Sequence, residues 1–132
     1  ASDVYKRQLY YIVGTEISHT AKQFPNTIQH DFHEQIQSYV NKFDIVYSNS
    51  LDHSYNPYKA LKTWTDQVNQ SGMLCIELAT GAENKMRELD PLEISPKELT
   101  EIIEEEFGFF NNDFKVINRL NRTNSLLGIF RR

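Results

Sequence analysis

Two short apolar runs of the sequence finish with residues whose side chains can bind a nucleotide. Glu16 ends the core of YYIVGTEIS, and Asp31 with Phe32 ends TIQHDF. A carboxylate at the end of a buried strand can accept hydrogen bonds from both hydroxyls of a ribose. An acid beside an aromatic ring suits the exocyclic amine and the apolar face of a purine. The sequence therefore predicts that Glu16, Asp31 and Phe32 contact a nucleotide.

A third polar segment, SNSLDHSYNP, follows the apolar run FDIVY. It brings Ser48, Asn49, Asp52 and His53 together where a reactive centre would lie in an open α/β sheet. An imidazole titrates near pH 6.5, so His53 can take a proton from a substrate at neutral pH. His53 can equally pack at the start of the next helix, and Asp52 can orient the imidazole or cap that helix. Both interpretations stay open at this point.

Short runs of β-branched and aromatic residues predict the strands that position these groups. The runs YYIVGTEIS, TIQHDF, FDIVYSN and MLCIEL predict four buried strands. A short helix is predicted from His19 to Phe24, and Pro25 with Asn26 ends it. The tail FKVINRLNRTNSLLGIFRR predicts two antiparallel strands around the turn RTNS.

Two longer helices are predicted between these strands. YKALKTWTDQVNQ has Pro57 just before it, places Leu61, Trp64 and Val68 on one face, and is ended by Gly72. SPKELTEIIEEEFGF opens with a serine cap, has a buried stripe of Leu99, Ile102, Ile103 and Phe107, and is ended by Gly108. Strands that alternate with helices predict an α/β fold with a mostly parallel sheet and a C-terminal antiparallel hairpin.

Composition limits the function classes. The chain of 132 residues suits one domain, its net charge of -4 disfavours nucleic acid, and its single cysteine, Cys75, lies in an apolar run that predicts burial. No apolar run reaches the roughly 18 residues of a membrane span, which predicts a cytoplasmic protein. Acids dominate from Glu83 to Glu106 and bases dominate after Asp113. A solvated helix and strand pair accounts for this distribution, and a basic substrate-facing edge is the alternative.

The first eight residues, ASDVYKRQ, fit no strand or helix pattern. They spell the translation of the end sequence of a transposase-based sequencing adapter. We therefore interpret residues 1–8 as a non-native scar, and the remaining residues 9–132 as the part that folds. A genuine polar N-terminal arm is the alternative.

From Leu9 to Arg132 the sequence resembles the later part of a class I S-adenosylmethionine-dependent methyltransferase. IVGTEIS resembles the second strand of the family with its ribose-binding acid, and QHDFHE resembles the third strand with the residues that flank adenine. FDIVYSNSLDHSYNPYKAL resembles the fourth strand with its loop beside the methyl donor, and QSGMLCIEL resembles the fifth. The C-terminal hairpin resembles the reversed last pair of strands of the family. The resemblance implies S-adenosylmethionine as cofactor, a small-molecule substrate, and cofactor contacts by Glu16, Asp31, Phe32, Ser48 and Asn49.

The glycine-rich loop of that family has no counterpart in this sequence. The five glycines are scattered, so none forms a GxGxG loop. In the family the first strand, which carries this loop, lies between the strands that here end in Glu16 and Asn49. We therefore expect residues 9–132 to be a partial methyltransferase domain that lacks this strand and is inactive alone.

Other functions fit parts of the sequence. A nicotinamide-dependent oxidoreductase of Rossmann type also places an acid after its second strand, and a non-catalytic nucleotide-binding module needs no reactive centre. A metal-dependent hydrolase could use the histidines and acids of HDFHE. However, His30 and His33 would point to opposite faces of a strand, and we predict no metal site. The sequence does not identify the methyl acceptor or the oligomeric state.

Overall fold

The computed structural model describes residues 11–79, 94–118 and 124–132. The chain divides into two compact units, the first up to Glu34 and the second from Gln35 onward. None of the helices in the described ranges is long and apolar enough to cross a membrane. The expectations for residues 1–8, for the loop ATGAENKMRELDPLE beyond Ala79 and for the first half of the turn RTNS lie outside the described residues.

The first unit contains two short parallel strands. Strand β1 spans Gly14–Glu16, strand β2 spans Thr27–Gln29, and they pair in register from Gly14 with Thr27 to Glu16 with Gln29. Between them lies a 3-10 helix, His19–Gln23, whose N-terminus is capped by the Ser18 hydroxyl. The predicted strand TIQHDF was therefore too long, because the chain leaves β2 after Gln29 and turns.

The second unit contains a four-stranded sheet. Its strands are β3 (Phe43–Ser48), β4 (Val68–Ala79), β5 (Asn111–Ile117) and β6 (Ser125–Arg131), in the order β3-β4-β6-β5. Strand β3 is parallel to β4, whereas β6 is antiparallel to both of its neighbours. Only β6 therefore runs in the reverse direction within this sheet. The predicted α/β fold with a C-terminal antiparallel hairpin is confirmed.

Helix α1 spans Pro57–Gln67 and begins as the sequence predicts. The Asn56 side chain caps it by accepting a hydrogen bond from the backbone N–H of Lys59, and Pro57 lies in the first turn. Its end was predicted wrongly, because Val68 is the first residue of β4 and is not helical. Gly72 lies within β4, where an added Cβ would come 2.7 Å from the carbonyl oxygen of Asp44. Close approach of strands, not helix termination, requires this glycine.

Helix α2 spans Pro96–Phe107 and confirms its predicted capping. The Ser95 hydroxyl accepts a hydrogen bond from the backbone N–H of Glu98 and donates one to its carboxylate. Gly108 ends the helix in the left-handed region, with φ of 71°. Helix α1 contacts β3, β4 and helix α2.

The core of the second unit lies on one face of its sheet. Strand alternation puts Leu74, Ile76 and Leu78 on this face, all buried. The helices and β6 supply further buried side chains: Leu61, Trp64, Leu99, Ile103 and Phe130. The register places Ile45 and Tyr47 opposite Met73 and Cys75, on the other face, where they are 58% and 54% exposed. The sheet is therefore covered far better on one face than on the other by the described residues.

Candidate functional site

Glu16 is the last residue of β1 and is exposed there, as the sequence predicts. Parallel pairing continues just beyond the strand, because the backbone N–H of His30 donates to the Glu16 carbonyl oxygen at 2.9 Å. The Glu16 carboxylate accepts a hydrogen bond from the backbone N–H of Ser18 at 3.2 Å. The acid is thus presented at the carboxyl end of a parallel strand, the place where open α/β sheets bind ligands.

Asp31 and Phe32 lie in the turn after β2. The Oδ1 atom of Asp31 accepts a hydrogen bond from the backbone N–H of His33 at 2.9 Å. The same oxygen lies 2.6 Å from Nδ1 of the His33 imidazole, whose ring centroid is 4.5 Å from that of Phe32. Strands β1 and β2 are parallel neighbours, so their carboxyl ends lie at the same end of the small sheet. Glu16 and Asp31 both lie at that end.

His30 and His33 do not lie on a strand, which corrects the geometry used to weigh a metal site. Nε2 of His30 lies 2.7 Å from the carbonyl oxygen of Glu34, and the Glu34 N–H donates to the Asp31 carbonyl oxygen at 3.0 Å. The two imidazole rings therefore contact different residues of the same turn, His30 the Glu34 backbone and His33 the Asp31 side chain. Among the described residues, no group of three or more His, Cys, Asp or Glu side chains is arranged to hold a metal ion.

Ser48 and Asn49 lie at the carboxyl end of β3. Ser48 is its last residue and is buried, and its hydroxyl accepts a hydrogen bond from the backbone N–H of Ser50 at 3.1 Å. Asn49 is exposed, and its side-chain oxygen accepts a hydrogen bond from the Ser50 hydroxyl at 3.0 Å. These bonds lie at the bend that follows the strand.

Asp52 and His53 lie in a 3-10 helix, Leu51–His53, that follows this loop. Leu51 is fully buried and anchors the segment, Asp52 is buried, and the His53 side chain is 61% exposed. Asp52 Oδ1 lies 3.9 Å from His53 Nε2, which is beyond hydrogen-bond distance. Because Asn56 caps α1, the idea that Asp52 caps this helix is wrong. The His53 side chain is therefore exposed to solvent, and Asp52 lies beside it.

A carboxylate that the sequence reasoning missed bridges three strands of the second sheet. Glu77 accepts a hydrogen bond from the Tyr47 hydroxyl at 3.1 Å and one from the Ser125 hydroxyl at 3.0 Å. It lies near the carboxyl end of β4, next to the end of β3. The alternation of MLCIEL could have placed it opposite the core, because Leu74, Ile76 and Leu78 share the other parity.

The structure therefore brings the predicted site residues into two groups. Glu16, Asp31 and Phe32 lie together in the first unit, at the ends of β1 and β2. Ser48, Asn49, Asp52 and His53 lie together in the second, within six residues of one another in the chain. Each group follows the carboxyl end of a parallel strand, as predicted.

The fold is similar to that of methyltransferases of known structure. A SAM-dependent methyltransferase from Archaeoglobus fulgidus matches with a TM-score of 0.74 and 12% identity, over 98% of this chain and 80% of that one. A SAM-dependent methyltransferase from Thermotoga maritima matches with a TM-score of 0.73 and 12% identity, over 99% of this chain and 78% of that one. The 1,6-didemethyltoxoflavin-N1-methyltransferase from Burkholderia thailandensis was solved with S-adenosylhomocysteine bound. It matches with a TM-score of 0.69 and 13% identity, over 99% of this chain and 65% of that one. The chain has the Rossmann-like fold of class I methyltransferases.

These similarities concern the fold. The sequence matches no protein-family model and no curated protein. The chain spans 65% of the length of the Burkholderia enzyme and 80% of that of the Archaeoglobus protein. Because one fold supports many reactions, the function has to be argued from the residues of the site.

Proposed function

We propose that this chain is part of an S-adenosylmethionine-dependent methyltransferase that acts on a small molecule. The observation that carries the proposal is the strand arrangement, in which β6 alone is reversed and lies between β4 and β5. The family resemblance implied this reversed pair, and it favours a methyltransferase over a nicotinamide-dependent oxidoreductase. Similarity to solved methyltransferases supports the same assignment.

The residues of the first unit fit the nucleoside part of this cofactor. Glu16 is an exposed carboxylate at the end of β1, so it can accept hydrogen bonds from ribose hydroxyls. Asp31 would accept a hydrogen bond from the adenine amine, and Phe32 would contact the purine face. The loop at Ser48 and Asn49 would lie beside the methyl donor. This sequence contains no glycine-rich loop that would hold the methionine part of the cofactor.

Methyl transfer requires few catalytic groups from the protein. Bound S-adenosylmethionine would supply an electrophilic methyl group. The chain would hold the acceptor atom in line with that group, since proximity and orientation alone can contribute most of the rate. The exposed His53 would take the proton that an acceptor oxygen or nitrogen loses, and the neighbouring Asp52 would orient that imidazole.

We further propose that residues 1–8 are a non-native scar and that residues 9–132 form a partial domain. Strand pairing supports the second point. Within the described residues, β1 pairs only with β2, and β3 pairs only with β4. A first strand with a glycine-rich loop, encoded upstream of Leu9, would supply the missing cofactor contact. Sequencing the native locus tests this, and a start codon directly before Leu9 would contradict it.

The test of the function is cofactor binding by the protein from the complete open reading frame. Glu16→Ala should weaken S-adenosylmethionine binding roughly tenfold to a hundredfold, because a hydrogen bond to a charged group contributes about 1.5–3 kcal/mol. Glu105→Ala is the matched control, since it removes an exposed glutamate of α2. Calorimetry measures both affinities. Equal affinity of Glu16→Ala and wild type would remove Glu16 from the site, and absence of binding by the wild type would contradict the proposed function.

A further inference from the structure

His33 is the most buried ionisable side chain of the first unit among its described residues. It is 3% exposed, whereas His19 in the same unit is exposed. A buried imidazole is costly unless its nitrogens are hydrogen-bonded. Nδ1 of His33 meets this requirement at Oδ1 of Asp31, 2.6 Å away. The side chain is therefore built into the turn that carries the predicted purine-binding acid.

The contact restricts the Asp31 carboxylate. A carboxylate oxygen accepts hydrogen bonds and an imidazole N–H donates one, so the 2.6 Å contact is suited to a hydrogen bond from Nδ1 of His33 to Oδ1 of Asp31. The backbone N–H of His33 donates to the same oxygen at 2.9 Å, as in an Asx turn. Two donors from one residue thus hold one carboxylate oxygen, and the plane of the Asp31 carboxylate is restricted.

The rest of the turn is held as well. Nε2 of His30 bonds the carbonyl oxygen of Glu34 at 2.7 Å, and the Glu34 N–H bonds that of Asp31 at 3.0 Å. The Phe32 ring lies 4.5 Å from the His33 ring, tilted by 33°. Asp31 and Phe32 are therefore oriented together by the same imidazole. Orientation before binding reduces the entropy lost when a ligand binds.

We propose that His33 is a positioning residue that orients the Asp31 carboxylate toward the exocyclic amine of a purine. The inference rests on the proposed function, because it takes the adenine group of the cofactor as the ligand. A carboxylate offers about four acceptor positions, so its bonds with His33 are compatible with one more from an amine. A 6-oxo purine presents an oxygen there instead, which a carboxylate repels. The pair therefore sets a preference for 6-amino over 6-oxo purines.

The test compares two ligands, S-adenosylhomocysteine and its 6-oxo analogue S-inosylhomocysteine. Calorimetry on the protein from the complete open reading frame should give a preference of about tenfold or more for the amine. His33→Leu should reduce the preference to less than about threefold. His33→Asn, which keeps a donor near the Nδ1 position, should restore most of it. His19→Leu is the matched control and should leave it unchanged.

The ratio of the affinities for the 6-amino and 6-oxo ligands distinguishes a positioning role of His33 from a purely structural one. If His33 only stabilises the turn, His33→Leu will weaken both ligands equally and the preference will remain, which overturns the inference. If the wild type binds neither ligand, the proposed function itself fails. Should His33→Leu not fold, the imidazole ¹⁵N signals of wild-type His33 decide. They should shift with the amine ligand and not with the oxo ligand, and equal shifts would overturn the inference.

Discussion

At the scale of single residues, His53 is the group on which methyl transfer is expected to depend. Its side chain is 61% exposed and it follows a buried anchor, Leu51. His53→Gln should lower kcat by about a hundredfold or more, because general acid–base catalysis contributes about 10²–10⁴. The affinity for S-adenosylhomocysteine should stay within about twofold of wild type. Steady-state kinetics with an identified acceptor measures the first, and calorimetry the second. An unchanged kcat would mean that transfer needs no base here.

Cys75 makes a second prediction at this scale, concerning pH. Burial raises the pKa of the Cys75 thiol, and the positive charge of Arg131 lowers it by less. In the unfolded chain the thiol ionises near pH 8.5, so folding is favoured by the neutral thiol below that pH, and this contribution is lost as pH rises toward the folded pKa. Alkylation by iodoacetamide at pH 8.5 should therefore be slow in the folded protein and fast in denaturant. Equal rates would contradict the burial of Cys75.

At the scale of elements, Arg132 links the end of α1 to the last strand. Its guanidinium donates to the carbonyl oxygens of Thr65, Val68 and Asn69 at 2.9–3.0 Å and lies 4.4 Å from the centroid of the Phe109 ring. Arg132→Ala should lower the free energy of unfolding by about 1–3 kcal/mol. The adjacent Arg131→Ala, which removes an exposed arginine, should change it by about 0.5 kcal/mol or less. Chemical denaturation compares them, and equal losses would contradict this role of Arg132.

Gly72 gives another prediction for the elements. An added Cβ would lie 2.7 Å from the Asp44 carbonyl oxygen and 2.9 Å from Cγ1 of Val68. The first neighbour is backbone and cannot move without disturbing the pairing of β3 with β4. Gly72→Ala should therefore destabilise the protein by about 1–3 kcal/mol, whereas Ser71→Ala, at an exposed neighbour, should be close to neutral. Thermal unfolding of both variants measures this, and a neutral Gly72→Ala would show that the strands are less closely packed.

The elements also indicate how much of the fold the sequence determines. Local patterns predicted the start of α1, both ends of α2 and the strand β3, because caps and periodicity act within a few residues. The end of α1 was not predictable, since Val68 continues its apolar periodicity and the Thr65 carbonyl oxygen at that end accepts a further hydrogen bond from Arg132, more than sixty residues later. Likewise, β2 ends at Gln29, and in the turn that follows His30 bonds the Glu34 backbone and His33 bonds the Asp31 side chain.

The candidate site shows the same division. Residue types and strand ends predicted where Glu16, Ser48 and Asn49 lie. They did not predict that the Asp31 carboxylate is held by His33, because that contact depends on the turn geometry. Glu77 was missed for a related reason, since its partners Tyr47 and Ser125 come from two other strands and are distant in sequence.

At the scale of the whole molecule, the described residues form two sheets that are not paired with each other. Within those residues, one side of β1 and one side of β3 have no strand partner. Expressed alone, the 132-residue chain should therefore tend to aggregate or to pair differently, and it should show no methyl transfer. Size-exclusion chromatography and a radiolabelled transfer assay measure these properties.

The most direct test of the central claim is a titration of S-adenosylhomocysteine into two proteins side by side. One is the 132-residue chain and the other is the product of the complete open reading frame that contains it. Calorimetry should give a Kd in the micromolar range, about -8 kcal/mol, for the complete product and weak or no binding for the chain alone. No binding by the complete product would contradict the assignment as a methyltransferase. Micromolar binding by the 132-residue chain as a monomer would contradict the proposal that it is a partial domain.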